Sequence, residues 1–213
     1  MVPCPAPDVC WMYLIRHGAT RNNRERPPRL QGRRLDAELS PEGLEEARRT
    51  AAVLAPCPLD AVYSSPLLRA RQTAEPMAVP RGLDVQIVEE LVEVDVGRWE
   101  GMRWNEVERE FPEEYRGFIR DAGACPYFGG ETLEQVRGRV VPRLRKLLED
   151  NLGRTIAVVA HNVVNRTYLA DLMGLSLARY REMPQDNCGV NVLRYRDGRT
   201  SIVTINSVFH LDG

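Results

Sequence analysis

The chain has 213 residues, of which 43% are hydrophobic and 28% charged, and 29 basic against 30 acidic side chains leave a formal net charge of -1. This length fits one domain with a sizeable core, and the balanced charge does not indicate nucleic acid or an anionic membrane as a partner. No apolar run approaches the roughly 18 residues that span a bilayer, and residues 1–10 lack the pattern of a signal peptide, so we expect a cytoplasmic protein.

The five cysteines are scattered along the chain and form no C-x-x-C pair. They are therefore expected to be free thiols in a reducing compartment, with a disulfide between Cys4 and Cys10 as the alternative. The sequence does not define the oligomeric state and leaves a homodimer open.

Apolar runs, caps and turn residues predict strands that alternate with helices. A first strand is expected to end at 13–15, and further strands to cover 61–63, 85–88, 155–160, 190–195 and 201–205, with Asp197-Gly198 as the last turn. Helices are expected over 41–54, from Ser65 to about 77, in two short pieces over 104–122, over 132–149 with a kink or break at Pro142, and after 161 to about 173. The arginine-rich segment 21–34 is expected to be a loop.

This alternation predicts an α/β fold, a three-layer α/β/α sandwich with a mostly parallel central sheet. We expect a single domain over 1–213, with a helical cap segment at about 102–130.

The tripeptide Arg16-His17-Gly18 follows the first predicted strand directly. Gly18 would allow close approach to a ligand, Arg16 offers a planar fork for phosphate or carboxylate oxygens, and Thr20 and Asn23 add neutral donors. An imidazole among such donors is placed to attack phosphorus rather than to hold a metal. The alternative is that Arg16 and His17 only cap the strand.

Two further polar segments follow predicted strands, and open α/β sheets bind ligands beyond the carboxyl ends of their parallel strands. Arg69 could reach such a pocket from a helix start, although a solvated helix arginine is the plainer alternative. His161 ends the most apolar strand and is followed by a polar turn beginning at Asn162, which weakens the reading of a core histidine. Charge pattern alone does not separate Glu93 from the other acids of 89–95.

Taken together, these segments resemble the histidine phosphatase superfamily, in the branch that contains cofactor-dependent phosphoglycerate mutases and small phosphomonoesterases. The similarity covers about residues 12–175 and implies a phosphoglycerate mutase-like fold. It implies that His17 is the nucleophile that becomes a phosphohistidine, and that His161 belongs to the same catalytic set. It also implies that Glu93 is the proton donor, with Asp95 as its nearest competitor. The expected substrate-binding residues are Arg16, Asn23, Arg69, Gly18, Thr20, Gln31, Gly32 and Asn162.

The implied chemistry is hydrolysis of a phosphate monoester that requires no metal or other cofactor. Arg16 and Arg69, with a protonated His161, would hold the phosphoryl oxygens. Neutral His17 would attack phosphorus, and Glu93 must begin protonated, which requires that burial raise its pKa. The Gly130-Glu131-Thr132 segment resembles the Gly-Glu-Ser segment of the family.

Several activities stay open within and beyond this family. The compact segment 102–129 favours a phosphatase acting on a small phosphorylated metabolite over a phosphoglycerate mutase. Asn162 stands where most members have glycine, and a fructose-2,6-bisphosphatase-like activity remains an option. A protein-phosphohistidine phosphatase and a non-catalytic phosphate-binding domain are the remaining alternatives.

The roles of three further features are also left open. The arginines of 21–34 either grip a second anion on the substrate or belong to a solvated loop paired with nearby acids. Trp99, Trp104 and Tyr127 either form a wall for the leaving group or belong to the core. His210 is expected to be structural.

Overall fold

A six-stranded sheet with helices on both faces forms the protein in a computed structural model that describes residues 6–211. In chain order the strands are β1 (Val9–Arg16), β2 (Ala61–Ser64), β3 (Val85–Ile87), β4 (Thr155–Ala160), β5 (Val190–Arg196) and β6 (Arg199–Ser207). The helices are α1 (Arg21–Arg24), α2 (Pro41–Val53), α3 (Leu68–Ala78), α4 (Trp104–Glu110), α5 (Pro112–Arg120), α6 (Leu133–Asp150) and α7 (Asn162–Leu172). None of the helices in this part of the chain is long and apolar enough to cross a membrane.

The strands are ordered β3-β2-β4-β1-β5-β6 across the sheet, and the first four run parallel. Arg16 pairs with Ala160 and Ser64 with Val159, so the residues that follow β1, β2 and β4 leave the sheet at one edge. β5 is antiparallel to β1, and its first residue lies opposite Ile15. The segment before β5 therefore reaches the same edge as the segments after the parallel strands.

Alternate residues of the central strands enter two separate hydrophobic cores. On β1, Met12 and Leu14 belong to one core, and Tyr13 and Ile15 belong to the other. The first core contains the buried faces of α6 and α7, and the second contains that of α3, which packs against α2. This period-two division between two helical layers confirms the predicted three-layer α/β/α sandwich with a mostly parallel sheet.

Two helices begin within one residue of the predicted start. The Ser40 hydroxyl accepts a hydrogen bond from the Gly43 N–H at 3.1 Å, and Pro41 occupies the first position of α2. Thr132 and Gln135 form a reciprocal capping box at the start of α6.

The break expected at Pro142 does not occur. Helix α6 continues through this residue without interruption. Pro142 and Gly138, whose carbonyl loses its helical hydrogen bond to the proline, both lie on the exposed face, where water can bind that carbonyl. On the other face, Val136, Val140 and Leu144 are fully buried and hold the helix against the core.

Two other expectations near the ligand edge of the sheet are corrected. The helix after β2 begins at Leu68 rather than at Ser65, and the Ser65 hydroxyl instead contacts Nε2 of His161 at 2.7 Å. The segment 21–34 is not a loop throughout, since it opens with the helical turn α1, which Thr20 caps.

The cysteines that the structure describes are Cys10, Cys57, Cys125 and Cys188, and all are unpaired, as the sequence predicted. Cys4, and with it the alternative pairing to Cys10, lies outside the described residues.

Candidate active site

His17 follows β1 and is almost fully buried. Its Nδ1 lies 2.7 Å from the carbonyl oxygen of Gly18, which makes Nδ1 the protonated nitrogen and leaves the lone pair on Nε2. Burial and then the charges of Arg69 and Arg16 hold the pKa of His17 well below its usual value. At neutral pH the residue is therefore an uncharged imidazole whose Nε2 is the basic nitrogen.

Arg69 is fully buried against His17, in the first turn of α3. Its Nε donates to Nε2 of His17 at 3.3 Å. Its two terminal nitrogens donate to the carbonyl oxygens of Leu35 at 2.9 Å and Gly32 at 3.0 Å. The guanidinium is thus fixed beside the imidazole, and the alternative of a solvated helix arginine is wrong.

His161 is fully buried beside His17, with 5.2 Å between the two ring centroids. The 2.7 Å contact with Ser65 fixes its ring, while its Nδ1 has no hydrogen-bond partner within residues 6–211. Burial and then the charge of Arg69 hold the pKa of His161 well below its usual value. Without a bound anion the neutral form of His161 is therefore favoured, and its protonation beside a phosphoryl group stays a prediction.

Arg16 is held by the segment that precedes β5, which the sequence did not connect with the site. Its Nη1 donates to the carbonyl oxygen of Gln185 at 2.7 Å, and its buried Nε has no partner among the described residues. Asn187 donates from Nδ2 to the carbonyl oxygen of His17 at 2.9 Å. The sequence signal that could have found this segment is the polar run before β5, because β5 is antiparallel to β1 and so begins at the edge where the site lies.

Glu93 is 3% exposed and lies on the wall of the same cavity as His17. Its carboxylate accepts hydrogen bonds from the N–H groups of Val94 at 2.9 Å and Val163 at 3.3 Å. Burial raises the pKa of Glu93 above its usual value, as a general acid near neutral pH requires.

Asp95 has a different environment. Its carboxylate pairs with Arg33 at 3.0 Å and Arg34 at 2.9 Å and accepts the Gly97 N–H at 2.9 Å. Burial acts to raise the pKa of Asp95, but these donors outweigh it and the pKa is lowered. An ionised, paired carboxylate is poorly suited to donate a proton, so the geometry favours Glu93 over Asp95.

The segment that carries Glu93 is fixed by the residues that resemble the Gly-Glu-Ser motif. Glu131 accepts the Asp95 N–H at 2.8 Å and pairs with Arg139 at 3.0 Å. Arg139 also donates to the carbonyl oxygen of Val92 at 2.7 Å. A Cβ at Gly130 would overlap the carbonyl oxygen of Asp95, so close backbone packing completes this support.

A cavity of about 210 Å³ opens above His17. Six of the predicted site residues line it, namely Arg16, His17, Asn23, Gln31, Glu93 and Asn162. Trp104 and Tyr127 also line it, whereas Trp99 is fully buried in the core. Arg69 and His161 do not lie on the cavity wall and contact His17 instead.

Gly18 does not line the cavity, and its role in the approach of a ligand stays a prediction. Its N–H donates to Thr73 Oγ1 at 3.0 Å, and a Cβ there would lie 2.6 Å from the carbonyl oxygen of Gly43. Glycine is therefore required at this position for packing of the loop against α2.

Thr20 and Gly32 are likewise supports rather than wall residues. Thr20 is fully buried, and its hydroxyl donates to Gln31 Oε1 at 2.7 Å, which orients an amide that does line the cavity. The Gly32 carbonyl accepts from Arg69, and its N–H donates to Glu100 Oε1 at 2.6 Å. In this structure both residues contact the side chains around the cavity, and their contact with substrate stays a prediction.

Three of the six arginines of the segment 21–34 form ion pairs with acids. Arg29 lines the cavity but pairs with Glu25 at 2.8 Å, and Arg33 and Arg34 pair with Asp95. These ion pairs favour the solvated, partly paired loop over the grip on a second anion.

Three polar residues of the cavity wall were missed in the sequence, namely Arg166, Tyr180 and Arg181. Arg166 lies on the helix that follows His161, one turn further along, so its helical spacing was an available signal. Arg181 lies in a 3₁₀ helix, Leu177–Glu182, and nothing in the sequence pattern placed that segment near the site.

Comparisons with known proteins agree with this geometry. A family model described as histidine phosphatase superfamily (branch 1) matches residues 12–208. The chain is 32% identical over 200 residues to phosphoserine phosphatase 1 of Hydrogenobacter thermophilus, which covers 94% of this chain and 93% of that protein. It is 32% identical over 209 residues to phosphoglycerate mutase-like protein 4 of Arabidopsis thaliana, with 96% and 88% covered.

A solved structure is similar over nearly the same extent. The crystal structure of a phosphoserine phosphatase mutant from Entamoeba histolytica in complex with phosphoserine has a TM-score of 0.85 and 28% identity, with 95% of this chain and 99% of that chain covered. The chain therefore belongs to the histidine phosphatase superfamily, as its motifs predicted. It is a phosphoric monoester hydrolase of this family.

Proposed function

We propose that this chain hydrolyses a small phosphorylated metabolite through a phosphohistidine on His17, without a metal ion. The observation that carries the proposal is the state of His17. The 2.7 Å contact with the Gly18 carbonyl directs the lone pair to Nε2, and that atom lies 3.3 Å from the Arg69 guanidinium, which would meet the oxygens of a phosphoryl group bound there.

In the first step, the Nε2 lone pair of His17 forms a bond to phosphorus as the ester P–O bond breaks. The departing oxygen takes the proton of Glu93, whose raised pKa keeps it protonated at higher pH than an ordinary carboxyl. The alcohol leaves. A phosphohistidine remains whose ring keeps its proton on Nδ1 and carries a positive charge, together with an ionised Glu93.

In the second step, ionised Glu93 takes a proton from water as the water oxygen bonds to phosphorus. The P–N bond breaks, its electron pair returns to Nε2, and inorganic phosphate leaves. Glu93 is then protonated again, and the site is ready for another turnover.

The charge of the phosphoryl group would be balanced by Arg16 and Arg69. Arg16 supports this role because its Nε is a buried donor with no partner among residues 6–211. We assign His161 to donate a hydrogen bond from a ring nitrogen that carries a proton. Asn23, Gln31 and Asn162 would add neutral contacts from the cavity wall.

The segment 102–130 is proposed to act as a cap over the site within a single domain, because it supplies Trp104 and Tyr127 to the cavity wall. The unpaired thiols that the structure describes support a cytoplasmic location.

Phosphoserine and 3-phosphoglycerate are the first substrates to test, since relatives are named for phosphoserine hydrolysis and for phosphoglycerate mutation. A mutase would convert 3-phosphoglycerate to its 2-phospho isomer faster than it releases phosphate. We expect the opposite order here, with phosphate as the main product.

The test is the rate of p-nitrophenyl phosphate hydrolysis in excess EDTA. We expect full activity with chelator and a loss of at least about 1000-fold in His17→Ala, because both steps use that imidazole. His210→Ala is the matched control, since its ring bonds to Thr50 and to the Cys188 backbone and does not line the cavity. Activity abolished by EDTA, or a His17→Ala rate near that of the control, would contradict the proposal.

A further inference from the structure

Two arginines that the proposed reaction does not use lie on the wall of the same cavity. They are Arg166 of α7 and Arg181 of the Leu177–Glu182 3₁₀ helix. Nε of Arg166 and Nη2 of Arg181 are buried, and neither atom has a hydrogen-bond partner within residues 6–211. Buried donors are nearly always paired in folded proteins, so two unpaired ones at one cavity indicate a ligand.

Arg181 is held in place by aromatic rings rather than by an acid. Its guanidinium carbon lies 5.2 Å from the centroid of Trp104 and 5.0 Å from that of Phe118. Its Nε donates to the Tyr180 hydroxyl at 3.4 Å. Stacking uses the face of the guanidinium and leaves its edge free to donate, so the group is oriented before any ligand binds.

Neither arginine forms an ion pair with a described Asp or Glu, in contrast to Arg29, Arg33 and Arg34. Burial lowers the pKa of Arg166, and the nearby charge of Arg181 lowers it further, while the Tyr180 and Tyr127 hydroxyls and the Glu93 carboxyl act in the opposite direction. Two cations that repel each other in a partly buried site stabilise an anion that binds between them.

We propose that Arg166 and Arg181 bind a carboxylate of the substrate, at the end of the molecule away from its phosphate. This inference rests on the proposed function for the phosphate end, where Arg16 and Arg69 lie. The flat edges of two guanidinium groups match the two oxygens of a carboxylate. The cavity of about 210 Å³ is smaller than a site for a drug-sized ligand, which favours a short carbon chain between the two anions.

The test uses two pairs of substrates that differ in the carboxylate. Phosphoethanolamine is phosphoserine without its carboxylate, and glycerol 3-phosphate has a hydroxymethyl group where 3-phosphoglycerate has a carboxylate. For the wild-type enzyme we expect kcat/KM to be about 10-fold to 100-fold higher for the carboxylate member of each pair, the range given by a charge-assisted hydrogen bond. Equal values within both pairs would overturn the proposal.

The variants Arg166→Gln and Arg181→Gln are expected to remove this preference, with KM rising for the carboxylate substrates and little change for phosphoethanolamine. Arg166→Lys and Arg181→Lys keep the positive charge and are expected to retain part of the preference for carboxylate substrates. They keep the test possible if a glutamine variant does not fold. Arg179→Gln is the matched control, because Arg179 lies in the same 3₁₀ helix but pairs with Glu182 at the surface. Equal losses on both members of a pair would overturn the proposal.

Binding to His17→Ala separates this inference from the proposed function. Calorimetric titration with 3-phosphoglycerate and glycerol 3-phosphate reports the carboxylate contact even if no hydrolysis takes place. The inference is supported if His17→Ala binds 3-phosphoglycerate more tightly than glycerol 3-phosphate and the double variant with Arg181→Gln does not. This result does not depend on the phosphohistidine mechanism. A wild-type preference for fructose 2,6-bisphosphate over 3-phosphoglycerate would show a second phosphate as the ligand and overturn the assignment to carboxylate.

Discussion

The carboxyl groups of Glu93 and Asp95, two residues apart in one segment, have opposite partners. Glu93 accepts hydrogen bonds from backbone N–H groups and has no ion pair among residues 6–211, whereas Asp95 pairs with Arg33 and Arg34 at 3.0 and 2.9 Å. The pKa of Glu93 is raised by burial, and that of Asp95 is lowered because its donors outweigh its burial. Sequence alone could not choose between these two acids, and the structure gives a physical basis for choosing Glu93.

Glu93→Gln is expected to slow hydrolysis of a substrate with an alkyl leaving group by about 100-fold or more, because the alkoxide then departs without a proton. The formation of phosphoenzyme from p-nitrophenyl phosphate should change little, since nitrophenolate leaves without help. Single-turnover release of the alcohol measures this step for both substrates. Asp95→Asn is the matched variant, and an equal effect of the two substitutions on leaving-group dependence would show that the acid is assigned wrongly.

The two buried histidines should remain neutral well below the pH at which free histidine gains a proton. Their pKa values are lowered in the folded protein, while the unfolded chain titrates near about 6.5. The folded state therefore binds fewer protons, and its stability is lost as the pH falls below about 6.5. Nitrogen-detected NMR titration of His17 and His161 checks the first statement, and melting temperature against pH checks the second. A midpoint of 6.5 or above for His17 in the free enzyme would contradict both.

Ser65→Ala is expected to reduce kcat/KM about tenfold by removing the hydroxyl that fixes His161. The nitrogen chemical shifts of His161 should change as well, because the tautomer is no longer constrained. Ser64→Ala is a useful control, since Ser64 is equally buried and its hydroxyl donates to the Ser65 carbonyl rather than to His161. If Ser65→Ala lowered the melting temperature but left the His161 shifts and the rate intact, the contact would be structural only.

Gly43→Ala and Gly138→Ala should have opposite effects on stability, although both glycines lie in helices. A Cβ at Gly43 would overlap the carbonyl of Ala19 beside His17, and forced repacking of this kind costs about 1–3 kcal/mol. A Cβ at Gly138 would meet nothing within 4 Å, and alanine there should add about 0.5–1 kcal/mol. Urea unfolding of the two variants measures both differences in the free energy of unfolding. A destabilised Gly138→Ala variant would argue that the exposed face near Pro142 is not as open as described.

Most of what the sequence could predict about the site came from residues at the ends of predicted strands. Because parallel strands deliver their carboxyl ends to one edge, His17 and His161 could be placed together from apolar runs alone, and the register confirms that placement. The roles of Gly18 and Thr20 could not be predicted in the same way. Their contacts with Gly43 and Gln31 depend on how a loop packs against a helix that is distant in the sequence.

The sequence also could not show which arginines have acidic partners in the folded protein. The sequence drew attention to the cluster in 21–34, but charge density does not reveal which side chains have acidic partners in space. Arg33 and Arg34 proved to be paired, whereas Arg166 and Arg181, isolated in the sequence, have unpaired nitrogens at the cavity. The distinction rests on tertiary contacts, which no local pattern encodes.

The central claim, a phosphohistidine on His17, is tested most directly by trapping it in Glu93→Gln with p-nitrophenyl phosphate. The first step needs no proton from residue 93 with this leaving group, whereas the second step lacks its base, so the phosphoenzyme should accumulate. After an alkaline quench, peptide mass spectrometry should find one acid-labile phosphoryl group, on His17, in an amount equal to the initial burst of nitrophenol. Nitrophenol release without a burst and without label, or a label on any other residue, would contradict the account.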